Sequence, residues 1–160
     1  VSEFNVIYPF MKMFAHGMLR ILPSRPDNAF NIVPIDFVVK ASLAIARQED
    51  SVGRAFHLVT QEPPAIRLLL ELRDREYPLI PPFKMIDPAS FKRENLGPQE
   101  QFVYDVMQPY LGYLNDDLTF DASNTEKALA GTGVAFPVTD YEFLRTLVRY
   151  AVDAGYLVVG

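Results

Sequence analysis

The sequence predicts an α/β fold in which short parallel strands alternate with helices, and three observations predict it. Phe30 to Ile35 is a short apolar run that leads straight into a helical pattern continuing to about Gln48. Glu49-Asp50-Ser51-Val52-Gly53 is a polar turn, and Ala55 to Thr60 after it is a second short apolar run. Pro63-Pro64 then opens another helical stretch that reaches about Tyr77. A β-α-β-α order with helices of this length predicts a parallel pair joined by a right-handed crossover, with helices on the faces of the sheet.

The helix after Ile35 carries the strongest pattern. Asp36 occupies the N-cap position, where its carboxylate can accept from the N–H of Val38 or Val39. Apolar residues from Phe37 to Ala46 leave only Lys40, Ser42 and Arg47 for water, so most of the circumference is expected to be covered, as for a helix lying on a sheet.

The flanking segments follow the same logic. Pro9 to Leu22 is expected to be helical, with Phe10, Phe14, Met18 and Ile21 or Leu22 recurring at helical spacing. Phe83 to Ile86 reads as a third short strand after the Pro-rich break at 78–82, and Asp87-Pro88-Ala89-Ser90 as a turn that begins a helix. Pro98 to about Leu114 is expected to be a helix broken at Pro109 and rich in aromatics, including Phe102, Tyr104, Tyr110 and Tyr113. Leu118-Thr-Phe-Asp121 is strand-like, and Ser123 or Asn124 caps a helix that Gly131 and Gly133 end. A last helix runs from an Asp140 cap through Tyr141 to Ala154 and closes at Gly155.

With 160 residues and 49% apolar content, the chain can bury one sizeable core, and residues 1–160 are expected to form a single domain. A net charge of −5 argues against nucleic acid or an anionic membrane surface as a partner. The absence of cysteine removes thiolate catalysis, disulfides and Cys-based zinc sites, and fits a cytoplasmic protein. No apolar run approaches the roughly 18 residues that span a bilayer. The opening Val-Ser-Glu-Phe, without an initiator Met, suggests a piece of a longer polypeptide.

Asn31-Ile-Val-Pro-Ile-Asp-Phe-Val, followed by Gly53-Arg-Ala-Phe-His-Leu, resembles the C-terminal half of extended short-chain dehydrogenase/reductases. The likeness is closest to the thioester and fatty-acyl reductase branch, sometimes called male-sterility-like. Thr119-Phe-Asp-Ala-Ser-Asn-Thr-Glu-Lys-Ala-Leu, then Phe136-Pro137 and a final helix, is similar to that superfamily's closing pattern. The resemblance implies the C-terminal, substrate-binding portion of a Rossmann-type reductase that passes hydride from NADPH or NADH to a carbonyl or acyl thioester. The superfamily's Gly-rich pyrophosphate loop has no counterpart here, since Gly131-Thr-Gly133 ends a helix instead of opening one. No nicotinamide is therefore expected on this chain alone. The implied partners are an acyl or carbonyl substrate and an N-terminal nucleotide-binding half of the same polypeptide. As half of an enzyme, the isolated chain is expected to expose apolar surface or self-associate.

Several residues are candidates for chemistry. Tyr8-Pro-Phe-Met-Lys12 has the Tyr-x-x-x-Lys spacing of the superfamily's catalytic pair. Tyr8 nevertheless lies only 28 positions before Asp36, and Pro9 puts it at a helix edge, so a pocket-lining or packing role is preferred and no catalytic residue is assigned. Tyr8, Phe10, Phe14, Phe102 and Tyr110 are expected to line or cover an apolar substrate, although core packing is the commoner cause of such aromatics. Lys12, His16 and Arg20 lie four residues apart and would stack as a basic stripe, either a solvated face or, through Lys12 and Arg20, a contact for phosphates. His57, between Phe56 and Leu58, reads as an interior residue, and two histidines without cysteine give no metal-ligand spacing. The rival to the reductase portion is a stand-alone binding or assembly module that keeps this half of the fold.

Overall fold

Prolines decide where regular hydrogen bonding can run in this chain, because each one removes a backbone donor. There are 13 in 160 residues. The computed structural model describes residues 7–18, 20–115 and 119–159. It has the α/β class expected, with six α-helices and a two-stranded parallel sheet among these residues. The chain divides into two compact units, Val1–Ala29, Ala65–Asp117 and Tyr141–Gly160 forming the first, Phe30–Pro64 and Leu118–Asp140 the second.

The parallel pair is not the one the apolar runs suggested. It joins β1 (Ile21–Pro23) to β2 (Lys84–Ile86) in the first unit, with Leu22 opposite Met85. Lys84 N donates to Arg20 O at 2.8 Å and Ser24 N to Ile86 O at 3.0 Å, extending the ladder at both ends. Residues 21–22 were expected at the end of a helix, but α1 covers only Ile7–Ala15. Gly17 stops it at φ +65°, with Met18 N bonded to Met13 O and Gly17 N to Phe14 O. That is a Schellman closure, and it frees the chain to turn into β1.

The helix α3 (Arg67–Glu76) packs against α6 (Tyr141–Asp153), which buries Leu144, Val148 and Ala151 along one stripe. Helix α4 (Pro98–Asn115) buries Val103, Met107 and Leu111 and continues through Pro109, where a break was expected. Its start is closed by Glu100, whose carboxylate accepts from Gly97 N at 3.0 Å. Its end is tied to the β1 region. Ser24 Oγ and Asn28 Nδ2 both donate to Leu114 O, at 2.9 and 2.8 Å, and Asn115 Nδ2 donates to Pro23 O at 2.8 Å.

In the second unit, α2 (Ile35–Ala46) lies against α5 (Ser123–Leu129). The apolar runs on either side of α2 form no strands among the described residues, and Leu118 of the strand-like run that ends at Asp121 falls outside them. Side chains supply what a ladder would have. The Asn31 amide pairs with the backbone of Thr60 in both directions, at 3.4 and 3.3 Å. Asn124 Nδ2 donates to Ala55 O at 3.0 Å and the Thr125 hydroxyl to His57 O at 2.8 Å. The buried Thr60 hydroxyl donates to Pro137 O at 3.2 Å and accepts from Thr139 at 3.1 Å.

The covered circumference expected for α2 is also replaced by something narrower. Phe37, Ala41 and Ile45 are buried, four residues apart, while Ile35, Val39 and Leu43 are exposed at 75%, 50% and 54%. One stripe is enough to meet α5, and among its described residues the second unit contributes no sheet to take a second. Pro34 holds the N-cap position without a side-chain bond, and Asp36 sits in the first turn, 3.1 Å from Lys40. At α5 the cap is likewise displaced, since Asp121 Oδ1 accepts from Ser123 N at 2.9 Å.

Helix α6 ends as α1 does, with Tyr156 N bonded to Ala151 O, Gly155 N to Val152 O, and Gly155 at φ +69°. A Cβ at Gly17 would lie 3.1 Å from Pro81 Cγ, whereas one at Gly155 would meet nothing within 4 Å. Both Gly→Ala substitutions carry the left-handed penalty of about 1–2 kcal/mol. Gly17→Ala should lose measurably more than Gly155→Ala in urea unfolding, and equal losses would mean that Pro81 yields freely.

Candidate functional site

Helix α1 brings three of its aromatic positions to different neighbours. Phe14 faces Phe83, their ring centroids 4.2 Å apart, and Phe10 meets Tyr110 of α4 edge-on at 5.4 Å. Tyr8 meets Tyr156 edge-on at 6.3 Å, just beyond the closure of α6. Between α1, α3 and α6 these contacts leave an apolar cavity of about 80 Å³. Phe10, Met11 and Phe14 form one wall, Leu69 and Leu72 a second, and Val148 a third. Arg73 and Tyr77 are the polar side chains at its edge, and burial, then the Glu76 carboxylate, raises the Tyr77 phenol above its ordinary value.

Of the residues expected to line a substrate site, Phe10 and Phe14 line this cavity, and Tyr110 adjoins it through Phe10. Phe102 does not. It stands 70% exposed on the outer face of α4, in a row with Val106 at 53% and Tyr110 at 44%. Sequence reasoning missed Leu69, Leu72 and Arg73, and the signal was present in the i, i+3, i+4 spacing of these three on one face of α3.

The basic stripe is not assembled. Lys12 is on α1, but the helix closes before residue 20, and Arg20 contributes its carbonyl to the sheet. Lys12 Nζ lies over the Tyr156 ring, 4.6 Å from its centroid, a cation–π contact. In a Tyr-x-x-x-Lys catalytic pair the ammonium would draw the phenol pKa down. Here the Tyr8 phenol is raised, first by burial and then by Tyr150.

In the second unit a wider, open depression of about 440 Å³ runs beside the C-terminal end of α2, lined by Ser42, Ile45, Gln48, Arg54 and Phe56 among others. It gathers none of the expected site residues. His57 Nδ1 is 2.9 Å from Asp121 O, and because a carbonyl only accepts, that nitrogen carries the proton. Gly131 and Gly133, at φ +76° and +79°, follow the C-terminal end of α5. The nearest Gly-x-Gly therefore presents carbonyl ends and does not fit the pyrophosphate of a dinucleotide, which seats on helix N–H groups. Among the described residues no cluster of His, Asp or Glu could hold a metal ion, and no helix is long and apolar enough to cross a membrane.

No protein-family model matches the sequence, and no curated protein matches it. Among solved structures, the crystal structure of the terminal R domain from the myxalamid PKS-NRPS biosynthetic pathway shares the fold, with a TM-score of 0.66 over 93% of this chain at 18% identity. The chain spans 38% of the length of that structure.

A folded-state pKa raised for Tyr8 favours the folded chain below the ordinary phenol value of about 10, and that contribution is lost as pH rises through the raised value. Tyrosinate absorbance of wild type and Tyr8→Phe checks this. The difference spectrum should show a phenol titrating above 10, while one titrating below it would indicate that Lys12 activates the hydroxyl.

Proposed function

We propose that this chain is the substrate-binding portion of an NAD(P)-dependent reductase acting on a carbonyl compound or an acyl thioester. The observation that carries the proposal is the fold shared with an R domain over 93% of the chain. R domains are reductases that use a nicotinamide cofactor, and this chain corresponds to 38% of one. The nicotinamide then belongs to a nucleotide-binding half of the same polypeptide, consistent with a Gly131-Gly133 turn unsuited to pyrophosphate.

The part played by these residues is to bind and orient. Phe10, Phe14 and Tyr110 hold the alkyl portion of the substrate at the cavity between α1, α3 and α6. Phe102 extends the same apolar surface along α4. Lys12 meets phosphate groups only if its ring contact with Tyr156 opens, and Arg20 would act from a separate position beside the sheet. Self-association of the isolated chain through its exposed α2 and α4 faces belongs to the same proposal.

A second reading is a binding or assembly module without redox function. The misfit of the Gly131-Gly133 turn to a dinucleotide favours it. Fluorescence titration with NADPH and NADH separates the two, using this chain and a longer polypeptide read upstream from its own coding sequence. Binding by the longer polypeptide alone supports the reductase; binding by neither leaves the module. In the intact reductase, Phe14→Ala and Tyr110→Ala should raise KM for the acyl substrate about tenfold, the loss expected from uncovering an aromatic contact. Unchanged kinetics would remove both residues from the pocket.

A further inference from the structure

Arg73, at the edge of the cavity between α1, α3 and α6, carries a donor without a partner. Its Nε is buried and makes no hydrogen bond among the described residues. The rest of the guanidinium is engaged, Nη1 with Ile80 O at 3.5 Å and Nη2 in an ion pair with Asp74. The Arg73 side chain is 18% exposed, so little water reaches it, while Asp74 is 60% exposed. A buried donor left unpaired is costly, more so on a charged group, and such a vacancy in a folded protein calls for an occupant.

Water is a poor occupant. It needs two to four polar partners, and apart from Arg73 and Tyr77 at the edge the wall is apolar, with Phe10, Phe14, Leu69, Leu72 and Val148 in it. An anion is also poorly matched, because Asp74 already balances the guanidinium charge and a second carboxylate would face it. What fits is an uncharged acceptor carried on a short apolar chain. The volume of about 80 Å³ is roughly half that of a cavity known to hold benzene, which limits the buried part to a few carbons.

We propose that this cavity is a subsite for a short aliphatic chain bearing an uncharged carbonyl, whose oxygen accepts from Arg73 Nε. This rests on the reductase reading for its biological meaning and names the feature of the substrate that the site selects. Arg73 is a binding residue here, reading the ligand through one N–H, with no bond made or broken.

Methyl-resolved NMR titration of the 160-residue chain tests it with three probes of equal length: 2-pentanone, pentanoate at pH 7, and pentane. The ketone should shift the methyls of Leu69, Leu72 and Val148 saturably and bind about tenfold more tightly than either of the others, the worth of one hydrogen bond to a charged donor. Arg73→Met should remove that preference and leave ketone and pentane equal. Because Arg73→Met also breaks the pair with Asp74, Arg73→Lys serves as the second variant. It keeps the charge balance but not the Nε donor, and should lose the same tenfold. Tighter binding of pentanoate, equal binding of pentane to the wild type, or full ketone affinity in Arg73→Lys would each overturn the proposal. Ketone selectivity in a protein whose longer polypeptide binds no nicotinamide would retain the subsite and discard the reductase. Nicotinamide binding without ketone selectivity would do the reverse.

Discussion

Arg54 to Thr60 forms no regular secondary structure, and its backbone polar groups must still be satisfied. The second unit is arranged around that requirement. Asn124, Thr125 and Asn31 reach the segment with side-chain donors and acceptors, so the start of α5 and the approach to α2 are held by the same run of backbone. The apolar contacts follow from this placement. With α5 fixed at the segment, Ala128 and Leu129 meet Phe37, Ala41 and Ile45, and Phe56, Leu58 and Phe136 fill in around them. Gln48 adds a polar tie, donating to Ala128 O at 2.6 Å and Ala44 O at 3.2 Å.

The first unit is organised by helix ends. Two glycines close α1 and α6 in the same way, and the residue after the second, Tyr156, returns over α1 to meet Tyr8 and Lys12. At α4 the last turn has carbonyls without helical partners, and Ser24 and Asn28 supply donors to Leu114 O. A sheet of two three-residue strands is too small to be stable by its own pairing. Its persistence depends on these ties and on the buried Leu22.

Helices were legible in the sequence because their apolar stripes are periodic, and α6 also because a glycine stops it. Leu144, Val148 and Ala151 could be read directly, and Gly155 marked their end. The strand β1 was not legible, because Phe14, Met18 and Ile21 continue a helical spacing across Gly17, and periodicity alone does not say which glycine takes a positive φ. The two apolar runs flanking α2 look like strands for a real reason: their apolar side chains are half-buried. Their hydrogen bonds go to side chains of Asn31, Asn124 and Thr125, and no hydropathy pattern records that. Within the site, the grouping of Phe10, Phe14 and Tyr110 followed from their aromatic character. Arg73 did not, because in Arg67 to Glu76 it looks like one more charge on a solvated helix, and its burial appears only once α1 and α6 close over α3.

Neither unit is a continuous stretch of chain. β1 and β2 pair across the 60 intervening residues that carry α2 and α3, and the segment Leu118–Asp140 of the second unit interrupts the first again before α6. Closing so long a loop for three rungs of ladder is entropically unfavourable, and non-local pairing of this kind slows folding. The sheet is consequently a late event. Local helices can form while both units are still open, whereas the contact of α2 with α5 closes a loop longer still, across residues 47–122, and the first unit is complete only once α6 arrives. During synthesis the first unit cannot finish until α6 has left the ribosome, so its apolar surfaces stay uncovered while α2 to α5 are made.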